Sequence, residues 1–111
     1  MNETYFVVIP ADKSSYIEKC DGTLEQLQRL VDGYIEVVPT QNTEGSHVLV
    51  VDEDGKLKGS TVNRCACLLF GTARDLIAGT AILARRYGEE MLGFDKELAK
   101  DLCVYADLLN L

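Results

Sequence analysis

Asp21–Pro39, DGTLEQLQRLVDGYIEVVP, is the stretch whose reading decides the fold. It holds a helix with both ends marked and a strand that follows at once. Thr23 and Gln26 have the spacing of a capping box, in which each side chain satisfies a backbone N–H at the helix start. Leu24, Leu27, Leu30 and Val31 recur at helical spacing and make one apolar face. Gly33 stands where a left-handed residue closes a helix. Tyr34–Val38 changes to β-branched and aromatic residues, the composition of a strand.

Upstream, Thr4–Ile9 reads as a strand that Pro10 ends, because proline donates no ladder bond. Ser15–Lys19 returns as a second strand, so the two make a hairpin. Downstream, Thr40–Ser46 is a polar loop and His47–Asp52 a strand whose VLVV core is continuously apolar. Asp52–Gly55 is a turn, from which a short strand near Lys56–Leu57 could return. Its carboxylates do not follow the alternating ligand pattern of a calcium loop. Asn63 could cap a short helix with Ala66, Cys67 and Phe70 facing the core, or the segment could be extended. Leu76–Ala84 reads as a core strand interrupted by Gly79, the mark of a bulge or a close backbone approach. Asp95 caps a last helix to about Leu109, with Leu98, Leu102, Ala106 and Leu109 on one stripe. The order is β-β-α-β-β-(β)-α-β-α. It predicts one α+β domain over residues 1–111, with a small mixed sheet of four or five strands and helices on one face. The opening order also matches a β-grasp.

A chain of 111 residues that is 47% hydrophobic can bury a core without disulfide or metal staples. No run reaches the ~20 apolar residues of a membrane-spanning helix. The N-terminus lacks a basic segment ahead of an apolar one, so a cytoplasmic location is expected. Cys20, Cys65, Cys67 and Cys103 form no C-x-x-C pair, and one histidine, His47, is present. Buried or half-buried thiols are expected rather than a metal site.

The net charge of −7 is unevenly spread: 11 acids against 3 bases in residues 1–54, but 1 acid against 6 bases in residues 55–86. The overall acidity argues against direct DNA binding, which needs a basic face. The basic middle suggests an anion site. Arg64 offers a planar fork for phosphate, Asn63 can fix an amide or a base, and Tyr34 could stack on a ring, with Gly79 and Thr80 close to the basic stretch. The plainer readings are a helix cap for Asn63 and a half-buried strand aromatic for Tyr34. No catalytic residues, metal ligands or cofactor are expected, since neither phosphate-binding glycine fingerprint is present and no base is placed beside a nucleophile.

The phrase Thr23–Gln28 with Val31–Val38 resembles domain-of-unknown-function family 3846, small proteins of bacteria, phages and mobile elements. Val50–Leu57 is similar to the family's acidic hairpin, Asn63–Ala66 to its N-R-x-A segment and Ile77–Ala81 to its G-T strand. The likeness covers residues ~4–84. It implies a small accessory protein of phage or mobile-element type and no catalytic residues. The function expected is a binding module for a nucleotide-like anionic ligand or a protein partner, as a monomer or homodimer. The alternatives are an acidic nucleic-acid mimic that occupies a host protein, and a hydrolase.

Overall fold

The structure is a computed structural model that describes residues 5–41, 43, 46–71 and 75–110. Its elements are β1 (Tyr5–Ile9), β2 (Tyr16–Lys19), α1 (Leu24–Val31), β3 (Ile35–Pro39), β4 (His47–Asp52), α2 (Arg64–Phe70), β5 (Ala81–Tyr87), β6 (Glu90–Leu92) and α3 (Lys96–Leu109). The α+β class holds. The strands lie in the order β2-β1-β5-β4-β3, with β6 joined to the far end of β5.

Three features differ from the expectation. Every pairing is antiparallel, so the sheet is not mixed and lacks the parallel central pair of a β-grasp. The strands number six among the described residues, because the β5–β6 hairpin turns at Gly88, whose φ of 61° suits a tight connection. The helices are not confined to one face. Leu27 and Val31 of α1 pack on Phe6, Val48, Val50, Ile82 and Ala84. Cys65 and Ala66 of α2 and Ala99 and Ala106 of α3 pack on Val7, Ile9, Leu49, Val51, Ala81 and Leu83 of the opposite face. Successive strand residues point to opposite faces. A central strand covered on both sides must therefore be apolar at every position, as VLVV and AILA are.

Local chemistry sets the element ends. Thr23 Oγ1 accepts from the Gln26 N–H at 3.3 Å, while Gln26 Oε1 reaches past the cap to the Asp21 N–H at 2.8 Å. The left-handed residue that closes α1 is Asp32 (φ 62°), not Gly33. Gly33 is needed for a different reason: an added Cβ would lie 2.6–2.9 Å from the Asp52 carboxylate atoms. That carboxylate, nearly buried, takes the Lys58 ammonium at 2.8 Å, and Lys58 also donates to the Asp32 carbonyl at 2.7 Å. The pair holds the Lys58 ammonium above its ordinary pKa and ties the end of α1 to the 52–59 turns.

Lys56–Leu57 is not a strand. The backbone from Asp52 to Ser60 closes on itself through successive turns, including Lys58 N–H to the Asp54 carbonyl at 2.9 Å and Ser60 N–H to the Gly55 carbonyl at 3.0 Å. The strand expected over Leu76–Ala84 begins only at Ala81 and runs on through Arg85 and Arg86 to Tyr87. Residues 77–79 are claimed by the approach to α2. The Ile77 carbonyl accepts the Asn63 N–H, Cys67 Sγ accepts the Ile77 N–H, and Gly79 N–H reaches the Thr61 carbonyl. These backbone groups have no donors or acceptors left for the sheet.

Candidate functional site

The five residues expected to form an anion site occupy three places. Asn63 is fully buried and its amide is spent. Nδ2 donates to the Ile9 carbonyl at 2.7 Å and the Gly79 carbonyl at 2.9 Å, and Oδ1 accepts the Ala66 N–H at 3.1 Å. It is the cap of α2 and the bolt between β1 and the 77–79 segment. Gly79 serves that bolt through its carbonyl, and Thr80, half-buried, leads into β5. Arg64 is exposed beside Asp12, Lys13, Asp107 and Asn110, where acids balance the bases. Tyr34, 68% exposed, stands toward the other edge of the sheet with Gln28, Arg29, Asp54 and Lys58. The topology separates Tyr34, next to edge strand β3, from Arg64, next to the β1–β2 connection.

The cysteines are free, with Cys20, Cys65 and Cys67 buried and Cys103 half-buried. Burial pushes the Cys65 thiol up to about 11, and the Asp107 carboxylate adds to the shift. Burial raises Cys103 and Cys20 as well. Thiols in that state are poor nucleophiles at neutral pH. Among the described residues, no group of three His, Cys, Asp or Glu side chains is placed to hold a metal ion.

A different set of residues makes a cleft. It lies between the last turns of α2 and α3, over the sheet, and is closed at one end by the β3–β4 connection. Its volume is about 430 Å³ and its walls are Leu68, Leu69, Leu83, Leu102, Tyr105 and Leu109. Thr40, Gln41, Thr43 and His47 line its polar end. Gln41 locks the end to α2: its N–H donates to the Leu69 carbonyl and its Nε2 to the Leu68 carbonyl, both at 2.9 Å. These are orphan carbonyls of a helix terminus, so Gln41 caps α2 from outside.

His47 is held on two sides. Its ring stacks on buried Phe94, with centroids 5.9 Å apart and planes 19° from parallel. Its Nδ1 meets Ser46 Oγ at 2.9 Å, and Ser46 Oγ donates to the Thr43 carbonyl at 2.9 Å. The single Ser46 proton is thereby used, so Ser46 can only accept from Nδ1–H. The neutral imidazole then carries its lone pair on Nε2. This geometry also disarms the Ser46–His47 contact as a nucleophile–base pair, because the histidine is donor and not acceptor toward the hydroxyl.

Against known proteins, the chain matches the family model described as Domain of unknown function (DUF3846) over residues 2–107. The chain belongs to this family. No curated protein and no solved structure is significantly similar to it. In this member of DUF3846, the matched segment runs from the first strand through most of α3, and so includes every wall of the cleft except Leu109. No helix among its described residues is long and apolar enough to cross a membrane.

Sequence reasoning missed the cleft because its parts are far apart in the chain. Thr40 and His47 frame a polar loop, and the leucines belong to two helices whose stripes read as core. One signal was available. Helical stripes in both Cys65–Phe70 and Asp95–Leu109 ended in leucine pairs, Leu68-Leu69 and Leu108-Leu109, more apolar surface than a single buried face needs.

Proposed function

We propose that this protein is a small-ligand binding module and that the cleft between α2, α3 and the β3–β4 connection is its ligand seat. The observation that supports the reading is the cleft's make-up: leucine walls with a few convergent polar groups at one end, the usual composition of a small-molecule site. The nucleotide-like anion considered from sequence lacks such a seat, because Asn63 is occupied within the fold and Tyr34 and Arg64 stand apart. A cytoplasmic accessory role of phage or mobile-element type is in keeping with the family resemblance.

The test uses 2-phenylethanol, an uncharged probe with an apolar ring and one hydroxyl, in a backbone-amide NMR titration. Shifts should concentrate at Thr40–His47, Leu68–Leu69 and Leu102–Leu109. Leu68→Trp should remove them. Leu68 is half-buried, lines the cleft and is not part of either core cluster, so an indole there fills the seat with little cost to the fold. Shifts spread elsewhere, or unchanged in Leu68→Trp, would place the binding outside the cleft.

A further inference from the structure

We infer that the cleft selects ligands with an apolar body and a hydrogen-bond-donating, positively charged head, that is, primary amines in preference to carboxylates or phosphates. The inference rests on the cleft being the ligand seat. It follows from counting protons at the polar end.

Each hydroxyl there has one proton, and each is used within the loop. Thr43 Oγ1 donates to the Thr40 carbonyl at 3.1 Å, or to the His47 carbonyl at 3.4 Å. Thr40 Oγ1 donates to the His47 carbonyl at 3.0 Å or to Thr43 Oγ1 at 2.9 Å. One proton of Gln41 Nε2 goes to the Leu68 carbonyl, which leaves that amide with one N–H and the two lone pairs of Oε1. With the Ser46 proton on the Thr43 carbonyl, the neutral tautomer that satisfies the Ser46 contact carries its hydrogen on Nδ1 and has Nε2 as an acceptor. Among the described residues, what remains at this end is one amide N–H against lone pairs on two hydroxyl oxygens, an amide oxygen and an imidazole nitrogen. A carboxylate or phosphate brings only acceptors and finds one N–H to pair with, so it gives up hydration for little in return. An ammonium brings three donors.

The helices point the same way. The last turns of both α2 and α3 line the cleft, and neither carries a basic residue. Gln41 already satisfies the Leu68 and Leu69 carbonyls of α2, so it is the α3 end whose partial negative charge favours a cation. Arg85, the cross-strand partner of His47, is engaged elsewhere. Its Nε donates to the Gly93 carbonyl at 2.8 Å and its guanidinium lies over Phe94, outside the cleft lining.

Three probes with the same phenethyl body decide the matter by the same NMR titration: 2-phenylethylamine, 2-phenylethanol and 3-phenylpropionate, at constant ionic strength. The amine should bind in the cleft at least about tenfold more tightly than the carboxylate, as expected when one head is well paired and the other is not. Because the whole chain is acidic, the local origin is checked with His47→Phe, which keeps a ring on Phe94 and removes the Nε2 acceptor. The amine preference should shrink severalfold in that variant. Equal or tighter binding of the carboxylate in the cleft would overturn the selectivity while leaving the seat in place. A preference unchanged in His47→Phe, or amine shifts confined to surface acids, would overturn it too. Failure of all three probes to move cleft resonances would overturn the seat itself and this inference with it.

Discussion

Removing Asp95–Leu111 is expected to abolish the folded state. Ala99 and Ala106 of α3 are buried at 0% and 2% exposure, and Leu102, Cys103 and Leu109 pack against the same cluster. Without them Val7 and Ile9, on the β1 side of that face, lose their cover, and the burial of Leu102 and Leu109 themselves is lost as well. At ~1.5–3 kcal/mol for each large apolar side chain, the loss is of order 5–10 kcal/mol. A domain's total stability is about 5–15 kcal/mol. Two further ties go with the helix: Asp107 Oδ1 accepts the Ser15 N–H and Asn110 Oδ1 accepts the Cys65 N–H, both at 2.8 Å. Amide NMR dispersion should collapse in the truncated chain. A dispersed spectrum from a truncated monomer would mean that α3 is an appended arm and not part of the core.

Asn63→Ala should be the most damaging of the single substitutions considered. The native amide satisfies two carbonyls and one N–H in a site with no solvent exposure. Alanine removes the α2 cap, worth ~1 kcal/mol. It also orphans the Ile9 and Gly79 carbonyls, at ~1–3 kcal/mol each. The sum is about 3–7 kcal/mol, read as a lower urea midpoint at unchanged slope. Asn63→Asp separates the two roles. It keeps the acceptor toward Ala66 but turns an oxygen on the two carbonyls, so it should rescue little. Near-native stability of the Asn63→Asp variant would show that the cap alone matters.

The starts of α1 and α3 were legible in sequence because a cap is a local device, and that of α2 was one of the two readings open for its segment. Thr23, Asn63 and Asp95 each accept an N–H three residues on, as their positions suggested. The same locality explains what was misread. Asn63 looked free to bind because the carbonyls that consume its amide come from Ile9 and from Gly79, 54 and 16 residues away. Leu76-Ile77-Ala78 looked like strand because it is apolar, yet its hydrogen bonds go to the approach of α2. β6 escaped because Glu90-Met91-Leu92 has no alternation to read. The two-sided packing was written in the continuous VLVV run but not drawn from it: a strand with one wet face alternates, and this one does not. The cleft and its polarity depend on which protons Thr40, Gln41, Thr43 and Ser46 have already spent, a property of the folded chain that no spacing rule contains.

The most direct measurement is native mass spectrometry of the wild-type protein and of Leu68→Trp, each purified gently from the same host. A small-molecule mass retained by the wild type and absent from Leu68→Trp is the expected result, and a basic, amine-bearing composition for that mass would agree with the donor-poor end of the cleft. A bare chain in the wild type, or the same mass held equally by both proteins, would contradict the assignment of the cleft as the ligand seat.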